Sequence, residues 1–152
     1  MNKRRVLFEI IQDFFMCIVI TATVSFVNKT NIFSLRFIYD FLLAYVINLL
    51  VGFILPEIPF ARIITKKISD ENVVKNDVLI PGIIAIINVS IILTGVLITK
   101  FSFSELCFKV WMSLYPTLIV VGVIAACILF KVTNKLVDII SVSYTHLRAH
   151  ET

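Results

Sequence analysis

With 152 residues, 59% of them hydrophobic and only 16% charged, this chain lies well away from a water-soluble domain, which is about half apolar and one-quarter charged. The net charge of +4 does not mark a nucleic-acid binder, because the basic residues flank apolar runs instead of gathering on one face. The longest polar stretch is about a dozen residues, which leaves no room for a separate soluble domain.

Lys3-Arg4-Arg5 opens the chain, and Phe14–Val27 follows, uncharged for 14 residues. This run extends back to Val6 if Glu9, Gln12 and Asp13 sit near a membrane surface. A basic start before an apolar run resembles a signal peptide. No small-x-small cleavage site follows, so an uncleaved first helix is expected. Phe41–Pro56 is uncharged for 16 residues and reaches back through Phe37–Tyr39. Val78–Thr99 and Val110–Phe130 carry no charge over 22 and 21 residues. About 20 helical residues at 1.5 Å each cross a hydrocarbon core of roughly 30 Å. The expected fold is therefore an all-α integral membrane protein with four transmembrane helices. Asn28–Arg36, Glu57–Asp77 and Lys100–Lys109 are the connectors. The first and third are short and the middle one is longer, which predicts two helical hairpins, residues 1–68 and 69–140.

Orientation follows from the basic residues at the span ends. Lys3, Arg4, Arg5, Arg62, Lys66, Lys67, Lys75, Lys131 and Lys135 make nine on one side, against Lys29, Arg36, Lys100 and Lys109 on the other. Both termini are expected in the cytoplasm.

A shift of 70 residues lays one half on the other without a gap. Val19 falls on Val89, Phe33-Ser34 on Phe103-Ser104, Tyr45 on Tyr115 and Val51-Gly52 on Val121-Gly122. Ile54, Ile58 and Phe60 fall on Ile124, Ile128 and Phe130, for nine identities over 42 positions. Chance in so apolar a composition gives about half as many. Hairpins of the same direction would be parallel repeats about an axis along the membrane normal.

The second hairpin carries Phe103, Trp111-Met-Ser-Leu-Tyr-Pro116, Gly122, Ala125 and Ala126, then Lys131 and Lys135. This pattern resembles the uncharacterised bacterial membrane family called domain of unknown function 2798. The first hairpin lacks the Trp and has Val46 at the proline position. Its Pro56 and Pro59 before Arg62 and Lys66-Lys67 are similar to the family's proline-then-basic exit. The resemblance covers residues 10–140 as two copies and implies a bacterial cytoplasmic membrane. It brings no agreed activity.

Residues 141–152 form a tail, and Val142–Thr152 resembles the translated read-through of a sequencing adapter. It is expected to be foreign to the fold. The only histidines, His146 and His150, lie there beside Glu151, so their four-residue spacing is not taken as a metal site. Cys17, Cys107 and Cys127 are scattered and read as small apolar residues.

Polar groups inside the spans are the candidates for function. Asn48 and Asn88 lie in the middle of spans 2 and 3. Ala44, Asn48 and Gly52 recur every four residues and share a helix face, as do Ser90 with Thr94 and Gly122 with Ala126. Such stripes let helices approach and hydrogen-bond, at about 0.6–2 kcal/mol per contact. They serve either helix packing or a polar path lined by Asn48 and Asn88. Glu9 and Asp13 are expected at the cytoplasmic surface, paired with Lys3–Arg5. Asp40 is expected to pair with Arg36, and Glu57 lies near Arg62. Pro116 is a candidate kink. Tyr39, Tyr45, Trp111 and Tyr115 read as belt or packing aromatics. No Walker loop, dinucleotide fingerprint, catalytic Ser/His pair or metal cluster occurs, so neither an enzyme nor a cofactor is expected. The chain reads as a non-enzymatic scaffold or accessory protein acting through helix contacts. The alternative is a small oligomeric transporter or channel for a polar solute. The expected partners are the bilayer and either further copies or another membrane protein, with no nucleic acid.

Overall fold

The computed structural model describes residues 3–54, 57–66, 68 and 75–149. Pro56, His150 and Glu151 lie outside the described residues, as do the side chains of Glu57 and His146. Every regular element among the described residues is helical. The helices are α1 (Lys3–Val27), α2 (Leu35–Ile54), α3 (Glu57–Thr65), α4 (Ile80–Phe101) and α5 (Glu105–Ala149), with a π-helical turn at Lys75–Leu79 leading into α4. Four helices are long and apolar enough to cross a membrane.

These four pack as a ring. α1 contacts α2 and α5, and α4 contacts the same two, which sets α1 across from α4 and α2 across from α5. Met16, Ile20, Ala44, Val89, Ile92 and Leu118 fill the centre. The outer faces are apolar as well: Leu42, Val46 and Leu50 on α2 and Val120, Ile124 and Ile128 on α5 are each about half exposed or more. Water would penalise such ridges, whereas hydrocarbon accepts them. An ion pair between Arg4 and Asp138 (2.6 Å) ties the start of α1 to α5 at the end that carries both termini. An ion pair between Asp40 and Lys100 (2.7 Å) ties α2 to α4 at the end that carries the two short loops.

The two short loops use the same device. Ser34 Oγ accepts the Phe37 N–H at 3.2 Å and so caps α2. Ser104 Oγ accepts the Cys107 N–H at 3.2 Å and caps α5. A serine here satisfies an otherwise orphan donor of the first turn. Phe33 and Phe103, immediately before the two caps, are both 89% exposed. α1 ends with Lys29 in the left-handed region (φ 53°), and the Thr30 N–H reaches back to the Ser25 carbonyl at 2.8 Å.

Two elements differ from expectation. The middle connector, expected as a loop, holds α3. Ile58 and Ala61 pack on Ile80 and Ile84, which gives this short helix its tertiary support. Pro59 sits in its first turn, where a missing N–H costs nothing. The fourth helix is 45 residues long, against a span of 21. It continues because Thr133 and Val137, one turn apart, remain fully buried beyond the apolar run. Its backbone also runs on through Ala149, into the adapter-like tail.

Candidate functional site

Two rows of residues at four-residue spacing build the site. On α1 the row is Glu9, Asp13, Cys17, Thr21 and Ser25, and all five are buried. On α2 it is Arg36, Asp40, Ala44, Asn48 and Gly52, of which Ala44, Asn48 and Gly52 are the buried residues of the helix. Residues four apart form one ridge of an α-helix, so each row presents as a unit to its neighbour. The helices run antiparallel and the ridges face each other. Asp13 Oδ2 lies 3.5 Å from the point where a Cβ on Gly52 would stand. Thr21 and Ser25 share a cavity wall with Ala44 and Asp40. This register puts Asn48 opposite Cys17, one turn from Asp13.

The polar groups on this line are poorly matched. Glu9 pairs with Arg5 at 2.7 Å, as expected for the terminal end. Asp13 does not follow its expectation. It is 3% exposed, and no cation among the described residues comes within ion-pair distance of it. Arg4, one of its expected partners, reaches Asp138 on α5 instead. Asn48 is fully buried, and neither its Oδ1 nor its Nδ2 has a hydrogen-bond partner; Gln12 Oε1 is likewise buried without one. Each such atom costs about 1–3 kcal/mol unless something satisfies it.

A cavity of about 290 Å³ opens at the loop end and is lined by all four long helices. Arg36, Asp40 and Lys100 stand at its mouth, Thr21 and Ser25 on one wall, and Ala44, Leu93 and Leu114 deeper in. Asp40 pairs with Lys100 and not with Arg36, which corrects the expected pair along one helix. A partner on α4 lets this ion pair join two helices across the mouth. The second carboxylate oxygen, Asp40 Oδ1, is buried without a partner.

The remaining candidates lie along the α4–α5 seam. Trp111 and Tyr115 stack with ring centroids 4.1 Å apart. Trp111 Nε1–H donates to Thr94 Oγ1 at 3.1 Å. Ser90 Oγ donates to the Ile86 carbonyl at 2.7 Å and lies 2.9 Å from the Tyr115 hydroxyl. Two hydroxyls on α4 are thus matched to two aromatics on α5, and all four groups serve to join the helices. Gly122 belongs to the same seam: a Cβ there would stand 2.8 Å from Val89 Cγ2. Asn88 is fully buried and engaged. Pro116 is exposed inside an unbroken α5. On the first hairpin, Phe41 and Tyr45 also stack, at 6.0 Å and 7°, with Phe14 of α1 edge-on to both. Among the described residues, no group of three His, Cys, Asp or Glu side chains could hold a metal ion.

Gln12 and the interior placement of Asp13 escaped the sequence reading. The signal was present in the four-residue row that continues Glu9 and Asp13 through Cys17, Thr21 and Ser25. No protein-family model, curated protein or solved structure matches the chain.

Proposed function

We propose that this protein carries a small polar solute across the bacterial cytoplasmic membrane, along a path between α1 and α2 on the inner side of the bundle. The observation that carries the reading is the loop-end cavity, lined as far in as Ala44, with the buried polar groups of Asn48 and Asp13 one and two turns further along the same ridges. A protein acting only through outer helix contacts needs no such line. Buried, unmatched polar groups are costly, and in membrane proteins they mark solute and ion pathways. The expected orientation, with both termini cytoplasmic, turns the cavity to the outside.

The tandem-repeat architecture belongs to the same proposal, as does membership of the domain of unknown function 2798 family. Several features support the repeat. Ser34 and Ser104 cap equivalent helices. The stacked pairs Phe41–Tyr45 and Trp111–Tyr115 fall on one another at the same shift of 70. The ring places α1 across from α4 and α2 across from α5, as a two-fold axis along the normal requires. Two copies that have since diverged account for a path on one hairpin and a hydrogen-bonded seam on the other.

The test is solute flux into proteoliposomes, using a panel of radiolabelled monovalent ions, amines and small carboxylates. Saturable flux of at least one solute, lost in Asn48→Leu and kept in Ser90→Ala, is the expected result. Flux absent across the panel, with a second membrane protein co-purifying in stoichiometric amount, overturns the path in favour of the scaffold.

A further inference from the structure

The path contains one group that a neutral solute does not need. Asp13 lies about 12 Å, or eight residues, beyond Arg5, and no cation among the described residues comes within ion-pair distance of it. Glu9, Cys17 and Tyr45 lie within electrostatic reach of it. Glu9 is already offset by Arg5. When Asp13 is ionised, its negative charge has no ion-pair partner among the described residues. A neutral oxygen acceptor accompanies it, Asn48 Oδ1 on the facing ridge of α2, buried and unpartnered. The carboxylate lies against α2 at Gly52, with Asp13 Oδ2 3.5 Å from where a Cβ would stand.

We infer that Asp13 and Asn48 form a binding site for a single monovalent alkali cation. The inference rests on the solute-path reading and names the ion that the path would use. The chemistry selects the ion. Carboxylate and amide oxygens are ligands for hard cations. One net charge matches a monovalent ion, whereas a divalent ion would call for a second free carboxylate. Binding joins α1 to α2 at the inner limit of the line from the cavity, so occupancy would favour one packing of the hairpin.

The experiment needs no transport. Purified protein in detergent is unfolded by heat while sodium chloride replaces choline chloride at constant ionic strength, and potassium chloride is run in parallel. A ligand that binds only the folded state raises the midpoint in a saturable way. The wild type should show that rise with at least one alkali cation. Asp13→Asn, which keeps the side chain's shape, should abolish the dependence. Asn48→Leu should move half-saturation tenfold or more and serves as the test if Asp13→Asn does not fold. Binding of radiolabelled sodium, measured directly on the same samples, should follow the same order. Equal midpoints in sodium, potassium and choline overturn the site. A stability that follows pH and ignores all three salts assigns Asp13 to proton binding and also overturns it. Cation binding without any solute flux would retire the transport reading and leave the site standing. Flux indifferent to alkali cations, with no salt effect on stability, would retire the site and leave the path.

Discussion

Replacing Asn48 by leucine should make the protein more stable and less active. Asn48 is fully buried, and both polar atoms of its amide lack a partner. An unsatisfied buried group costs about 1–3 kcal/mol, and two share one side chain here. Leucine has nearly the same length and removes both. Its branched end fits an amide-shaped space imperfectly, which takes back up to about 1.5 kcal/mol. The net expectation is a gain of at least about 0.5 kcal/mol in sodium- and potassium-free medium. Unfolding in mixed micelles can be followed through Trp111, the single tryptophan, whose ring stacks on Tyr115 in the folded state. Asn88→Leu is the control. Asn88 is equally buried but engaged, so its replacement should cost about 1 kcal/mol. Solute flux should fall to background in Asn48→Leu, the pattern of a residue kept for function at the expense of stability. A loss of more than about 1 kcal/mol in Asn48→Leu would mean that its amide is satisfied in the folded protein, and the reasoning would fail at its first step.

Three further outcomes test the packing. Gly122→Ala places a methyl 2.8 Å from Val89 Cγ2 and should cost about 1–3 kcal/mol. Val89→Ala in the same chain should recover most of that loss, and a purely additive double variant would refute the contact. Ser34→Ala and Ser104→Ala should each cost about 1 kcal/mol of unfolding free energy, by about equal amounts, since they remove the same cap. A double-mutant cycle between Ser90→Ala and Tyr115→Phe should give a coupling of about 0.6–2 kcal/mol. A coupling near zero would remove the hydroxyl pair from the α4–α5 seam.

The four long helices were legible because length and hydropathy decide them with little help from tertiary structure. Their ends were less so. α2 and α5 begin at serine caps just outside the apolar runs, and caps act through one hydrogen bond that hydropathy does not weigh. α3 was missed because its nine residues owe their order to contacts with Ile80 and Ile84, which lie beyond the next turn. The pairing of Asp40 illustrates the same limit. Arg36 was the near partner in sequence, but a helix with neighbours can offer its carboxylate across a seam, and Lys100 was there to take it. Ala44, Asn48 and Gly52 were recognised as one face, yet a single ridge says nothing of what stands opposite. Asp13 lies in the interior against Gly52 of α2, and that placement depends on two helices at once.

The central claim is that the α1–α2 ridges open to water from the loop end as far as the middle of the bundle. Thiol accessibility tests it most directly. In a chain with Cys17, Cys107 and Cys127 replaced, Ala44→Cys lies on the cavity wall and Val46→Cys on the outer apolar face. A membrane-impermeant thiol reagent applied to intact cells should label Ala44→Cys and leave Val46→Cys unmodified, with Asn48→Cys labelled more slowly than Ala44→Cys. Equal protection of Ala44→Cys and Val46→Cys, in protein that is folded and inserted, would contradict a path from that end.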